Sequence, residues 1–483
     1  MKKRVLIPLL LFVFSVAFSG IVVGTSNESF LTLCSNGTVE EIREAIENGA
    51  DVNYVDEDGL VTPLLMAISS NDNPEVIKLL IDEGADVNYA NQEGITPLMF
   101  ATRYRDSEVI EMLVNAGAEV NYTNKHGMTA FMFAFKYNDY QVVKTLLNLG
   151  ARVNVTNNKG WTPLLLAARY STGRVVELLL EHGADINYIN KEELTPLNVA
   201  AAFNPDPEVL KTLMENGAKY EQGLNPLMMA AKYNDNPEII KALVSKGAKL
   251  NIENNEGLTP LMMASAYNKG RVIKTLVDLG AEVNYINKKG FNPLVAALIG
   301  KNEAAIPVLV DCGVNINYEN KDGVTPLLVA LETRCRSGII KTLIENGARV
   351  NYVNKYGFTP LLYALKKGSG FEVIRTLVEN GADVNYKARD GWTPLLIALA
   401  KDFDIEIMRL LLEYGAEVNY KNPDGITALM VGAAYTRDPE VIELLLDFGA
   451  DTAIKNDNGK TAYDYALYNN HLKDSMVLQR LKP

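Results

Sequence analysis

Covalent or metal chemistry in this 483-residue chain would have to come from three histidines, three cysteines and a few paired acids. His126, His182 and His471 are far apart, and none lies at a ligand spacing from a Cys, Asp or Glu, so no metal site is predicted. Cys312 ends one predicted helix and Cys335 sits in the turn between helices of the following repeat, whereas a disulfide needs Cα atoms within about 7 Å. Three unpaired thiols, Cys34 included, are expected. Glu40-Glu41 and Glu192-Glu193 fall at a helix start and a loop tip, where the helix dipole and solvent account for them. Of the 35 glycines, 25 belong to two recurring turns, which leaves no cluster to cradle a phosphate. No catalytic residue and no cofactor is predicted, and an enzyme is not expected.

The chemistry of recognition is better represented. Arg103-Tyr104, Lys136-Tyr137, Arg169-Tyr170, Ala202-Phe203, Lys232-Tyr233 and Ala266-Tyr267 place six successive aromatics at one repeating position. The pattern lapses at Gly300, Thr333, Lys367 and Lys401 and returns at Tyr435. Aromatics and arginine are what interface hot spots favour, and a basic residue beside a ring suits an acidic partner. The competing reading is that the rings only cover seams between repeats. A second stripe, from Ile95 and Met128 through Trp161 and Leu258 to Trp392 and Ile426, is apolar in every repeat. It reads as packing, with Trp161 and Trp392 the exceptions that invite a binding role. A third stripe, with Tyr54, Tyr89, Tyr285 and Tyr420 among its members, reads as a structural ladder whose hydroxyls reach solvent or the next loop.

The elements that position these residues repeat with them. Thirteen Gly-Ala blocks (Gly-Val in one, at Gly313) follow each other from Gly49 to Gly449 at spacings of 33 to 35 residues, with one of 30. About a dozen residues after each comes Thr-Pro-Leu, as at Thr62, Thr96, Thr162, Thr259 and Thr393. Threonine is an N-cap, and proline is tolerated at the first helical position because its missing N–H would have no partner there. Three residues past the leucine stands a small residue, Ala67, Ala101 and so on, which lets helices approach closely. A second helix of the type Glu75 to Ile81 ends at the Gly-Ala glycine, which suits a left-handed C-cap. The stretch between, as in Asp86 to Gly94, reads as a hairpin-like finger. Pro307 should delay the start of its helix to Glu303 or later. Between Gly217 and Pro226 the finger is about four residues short, so the array should bend or weaken there.

Finger, helix, helix at this period, with Thr-Pro-Leu and Gly-Ala-Asp-x-Asn at these offsets, resembles the ankyrin-repeat family. The resemblance covers residues 28–483 and implies an all-α solenoid of about fourteen helical pairs. One continuous array is expected, with an N-terminal cap at 28–55, twelve repeats over 56–456 and a C-terminal cap at 457–483. The histidine that such repeats usually carry after Thr-Pro-Leu is absent, replaced mostly by Leu or Met such as Leu65, Met99, Leu165 and Met262. Apolar packing should therefore replace a polar bond. In the resembled family the first-helix ends and fingers face a concave groove where partners dock. That implies a protein or peptide partner, with Arg103, Tyr104, Lys136, Tyr137, Trp161, Arg169, Tyr170, Phe203, Lys232, Tyr233, Tyr267 and Trp392 as the binding residues.

Lys2, Lys3 and Arg4 precede an apolar run from Val5 to Phe18 and small residues at Ala17, Ser19 and Gly20, the pattern of a secretory signal. Residues 1–24 are expected to be removed, which would make the chain periplasmic, cell-surface or secreted. Because the apolar stretch continues to Gly24 and reaches the ~20 residues that span a bilayer, an uncleaved membrane anchor is the alternative. The formal charge of −12 argues against binding nucleic acid. Asn121-Tyr122-Thr123 and Asn154-Val155-Thr156 are glycan acceptor sequences on fingers, where a glycan would crowd the next repeat.

Overall fold

A computed structural model of the chain describes residues 27–137, 140–220, 224–473 and 475–482. The expected leader at 1–24 and the centre of the short finger, 221–223, lie outside the described residues. The chain divides into two bodies at Asp185 and Ile186. Among the described residues the first holds five helical pairs, from Asn27–Asn36 with Val39–Glu47 to Pro163–Tyr170 with Gly173–Glu181. The second holds nine, from Pro196–Phe203 with Pro207–Glu215 to Ala462–Ala466 with Val477–Arg480.

From Pro63 onward the first helices start where the cap chemistry says they should. Thr62 Oγ1 accepts the Leu65 N–H at 3.2 Å, and Thr162 repeats this on Leu165 at 3.2 Å, each with proline at the first helical position. Asn225 stands in for threonine and accepts from Met228 at 3.1 Å. The second helix stops at a glycine because the next turn needs a positive φ: Gly84 has φ +89°, donates to Ile81 O at 3.0 Å, and lets Ala85 donate to Leu80 O at 2.9 Å.

Packing follows the expected pattern. Ala67, Ala101, Ala134 and Ala167 in the first body, and Ala200 to Ala398 at the same position in the second, are fully buried. Leu65, Met99, Leu165, Met262 and Leu362, which stand where the family's histidine is absent, are buried as well, so the seams there are apolar.

Two sets of asparagines tie repeats together. On the finger side, Asn53 Nδ2 donates to Gly84 O at 2.9 Å, and the Asp86 N–H donates to Asn53 Oδ1 at 2.7 Å. Asn419 does the same to Gly449 and Asp451, each at 2.8 Å. In the turns between helices, buried Asn234 donates to Ala201 O and Asn204 O, and Asn268 donates to Ala231 O and Asn234 O, all at 2.7–3.0 Å. Each of these buried inter-helix bonds satisfies a backbone carbonyl that would otherwise be left in a dry seam.

The fingers contain no strand among the described residues. Those of full length close as tight loops, for example Asn91 N–H to Ile95 O at 3.2 Å and Gly94 N–H to Asn91 O at 2.7 Å, with Asn91 Oδ1 accepting from Glu93 and Ile95. The tyrosine ladder is half-buried and reaches the preceding finger, not the next one: Tyr89 Oη donates to Gly59 O at 3.1 Å, and Tyr285 Oη to Glu253 at 2.8 Å. The helix holding Pro307 begins at Ala305, with the proline in its first turn. Cys34, Cys312 and Cys335 are unpaired, and burial pushes the Cys34 thiol up to about 12.

Candidate partner-binding face

The C-terminal ends of the first helices carry rings and cations at helical spacing: Phe100, Arg103 and Tyr104 fall at i, i+3 and i+4 and so share one face. In the first body the Arg103 guanidinium lies 4.9 Å from the Tyr104 ring centre, and Phe100 stacks against Tyr104 at 6.0 Å. Tyr104 is 43% exposed. Phe100 is half-buried and extends the aromatic surface one helical turn inward, a contribution hidden in the sequence among ordinary apolar residues. Lys136 is exposed; the side chain of Tyr137 lies outside the described residues.

Arg169 joins two of the expected stripes. Its guanidinium is 5.2 Å from the Tyr170 ring and 5.8 Å from the Trp161 ring, so the finger residue and the helix-end residue share one cation. The same eight-residue spacing puts Lys366 over Phe358 at 4.2 Å. A basic residue eight positions after a finger aromatic is therefore the sequence signal for this contact. Trp392 is half-buried on its finger, and the first helix that follows it ends next to Lys401, where the ring of the helix-end row is missing.

In the second body Phe203, Lys232, Tyr233 and Tyr267 come together. Phe203 and Tyr233 lie 5.5 Å apart, and the Lys232 ammonium is 4.9 Å from both the Tyr233 and the Tyr267 ring. Tyr233 is 50% and Tyr267 56% exposed, more than a seam-filling ring would be, although Phe203 is half-buried. Where the row lapses, the surface is closed by charge. Lys367 donates to Glu332 Oε1 at 3.0 Å and lies 2.8 Å from Oε2, and Tyr363 Oη donates to the same carboxylate. The hydrogen bond from Lys367, followed by that from Tyr363, holds the Glu332 carboxyl below its usual range.

The residues first considered for chemistry stay apart. His182 Nδ1 is 2.8 Å from the Leu178 carbonyl at a helix end, and His126 lies 3.6 Å from Glu93 on exposed finger tips. Among the described residues no three His, Cys, Asp or Glu side chains are grouped to hold a metal ion, and no helix is long and apolar enough to cross a membrane.

No curated protein matches the chain. Among solved structures, the ankyrin repeat domain of human ASB11 aligns with a TM-score of 0.39 at 27% identity, covering 47% of this chain and 99% of that one. The ankyrin repeat domain of Bcl-3 aligns with a TM-score of 0.40 at 26% identity, covering 46% and 99%. The family model described as ankyrin repeats (3 copies) matches residues 30–124, 64–157, 131–223, 197–287, 272–354, 334–422 and 400–478. These overlapping matches run through almost all of the repeating sequence, and the chain belongs to the ankyrin-repeat family.

Proposed function

We propose that this chain is an exported, non-enzymatic interaction scaffold that binds an acidic protein or peptide along the inner ends of its first helices. Ankyrin repeats typically mediate protein–protein interaction. The observation that carries the reading is the recurrence of rings with cations set against them, half-buried Tyr170 with Arg169 and the exposed Tyr104 with Arg103 and Tyr233 and Tyr267 with Lys232. A rigid aromatic anchor beside a positive charge is the composition of an interface hot spot. Export is supported by the basic start at Lys2, Lys3 and Arg4 and the apolar run after it. N-terminal sequencing of the extracytoplasmic protein should find a mature end between Gly20 and Asn27; intact Met1 in the membrane fraction would instead establish an anchor.

Binding is tested by capturing partners on the mature chain and measuring their affinity for variants. Tyr104→Ala with Tyr170→Ala should weaken the captured partner by about 2 kcal/mol or more with melting unchanged. Lys136→Ala with Arg169→Ala should chiefly slow association and flatten its salt dependence, because rim charges steer encounter. The Phe203–Tyr233 contact favours a second reading, a spacer array whose rings pack seams. Normal binding with a lower melting temperature in the tyrosine variant would establish that reading.

A further inference from the structure

The Glu332 cluster shows what a carboxylate does on this face. Glu332 sits between Lys367 Nζ, at 2.8 Å from Oε2 and 3.0 Å from Oε1, and the hydroxyl of Tyr363. All three belong to first helices of the second body. The same types of donor recur at Lys232, Tyr233 and Tyr267, with the ammonium held 4.9 Å from each ring. Among the described residues no carboxylate is paired with them. Among the described residues Lys232 forms no ion pair, while its neighbour Lys269 is paired with Asp235 at 2.7 Å. The residues at the position of Lys232 in the flanking repeats, Ala202 and Ala266, bring no charge.

We propose that Lys232, Tyr233 and Tyr267 form a subsite for a carboxylate side chain of a bound peptide, the partner supplying in trans the acid that Glu332 supplies to Lys367 within the chain. The inference rests on the reading of the inner helix ends as the binding face. Electrostatics favours this occupant: the half-buried lysine carries three N–H donors and no ion pair among the described residues, so a charge-assisted bond to an anion is open to it. Two exposed tyrosine hydroxyls supply further donors, as Tyr363 does for Glu332. Phe203 against Tyr233, with half-buried Met229 one turn inward of Lys232, gives the apolar surface for the residue next to the acid. The ligand is therefore a short linear segment with Asp or Glu beside an apolar residue.

The test is a phage-displayed random dodecapeptide library selected on the mature full chain and, in parallel, on Lys232→Glu and Lys232→Gln. The wild-type chain should enrich peptides with Asp or Glu next to an apolar residue. Lys232→Glu should replace the acid by Lys or Arg at that one peptide position, and Lys232→Gln should lose the preference without gaining another. A synthetic copy of the enriched peptide should bind Tyr233→Ala/Tyr267→Ala at least about tenfold more weakly than wild type. Should Lys232→Glu melt early, the near-isosteric glutamine variant carries the result. Acidic peptides bound equally by wild type and Lys232→Gln overturn the subsite; if they also lose affinity on Tyr104→Ala/Tyr170→Ala, the binding face stands and only this assignment falls. A library that enriches nothing on the wild-type chain overturns both.

Discussion

The side-chain amide of Asn88 donates to the Gly117 carbonyl at 2.9 Å, while its oxygen accepts the Glu119 N–H at 2.8 Å, so one residue pins both sides of the next repeat's Gly-Ala turn. The block Asp-Val-Asn-Tyr thus carries its asparagine for the neighbouring repeat, not for its own. Asn88→Ala should destabilise the array by about 1–2 kcal/mol, two hydrogen bonds' worth at exposed geometry. Native-state hydrogen exchange should show the loss at Ala118 and Glu119 first, with repeats beyond residue 300 unaffected, because a solenoid couples nearest neighbours. Uniform acceleration along the chain would contradict the clamp.

The two glycan acceptor sequences fall on the same clamps. Asn121 Nδ2 donates to Gly150 O at 3.0 Å and Asn154 Nδ2 to Gly183 O at 2.9 Å; that nitrogen is where an oligosaccharide would be attached. Glycosylation and a closed seam should exclude each other. Passed through a glycosylating secretory host, the chain should be retained as misfolded glycoprotein, and Thr123→Ala with Thr156→Ala, which abolish both acceptor sequences, should restore soluble material. A doubly glycosylated product with the melting temperature of the unmodified chain would defeat the idea.

The short finger is where this clamp system is interrupted. The sequence has no asparagine between Gly217 and Leu224, so no asparagine of that finger can pin Gly247 and Lys249. Leu224, whose counterparts on the apolar finger stripe are buried or half-buried, is 39% exposed. The amides of Ala248 and Lys249 should exchange faster than those of Ala281 and Glu282, and lengthening the finger with an Asn-containing segment copied from Asn284 to Gly290 should slow them. Equal protection at the two turns would mean that the helical seam, tied by Asn234 and Asn268, is sufficient by itself.

The carboxyl of Glu332 is lowered by its bonds from Lys367 and Tyr363, so it stabilises the fold above its unfolded pKa and loses that contribution as pH falls through the folded one. Wild type should lose more melting temperature than Glu332→Gln between pH 5 and 3, about one unit either side of the usual glutamate pKa, and should match it in slope above pH 6. The cluster is partly exposed, so the difference should shrink in 0.5 M salt, roughly where the screening length falls below 5 Å. Parallel pH profiles would show that the pair contributes nothing to stability.

Much of this molecule is readable without coordinates because its information is local and repeated. Thr162 caps its helix, Gly84 ends one and Ala167 sits in the tightest contact for reasons that lie within a few residues and recur every 33 or so. The pairing of ring and cation at Arg103–Tyr104, Arg169–Tyr170 and Lys232–Tyr233 was legible for the same reason: adjacent residues at one repeat position make the same local contact in each body. What a repeat does to its neighbour was not legible. Asn88 and Tyr89 read as finger residues until the fold shows the first reaching forward to Gly117 and the second back to Gly59. Sequence distance carries no direction across a seam, and a period says only that neighbours are alike.

The sequence by itself therefore determined the repeat, its caps, its buried small residues and its family, since each rests on backbone chemistry that a short window satisfies alone. Only the tertiary structure decided which cations are already answered. Lys232 and Lys367 both stand in the last turn of a first helix, yet one lies against two exposed rings and the other is held by Glu332 from the preceding repeat. A charge finds its partner through space over a few ångströms, and packing the repeats side by side is what brings a carboxylate within reach of one lysine and, among the described residues, none into an ion pair with the other.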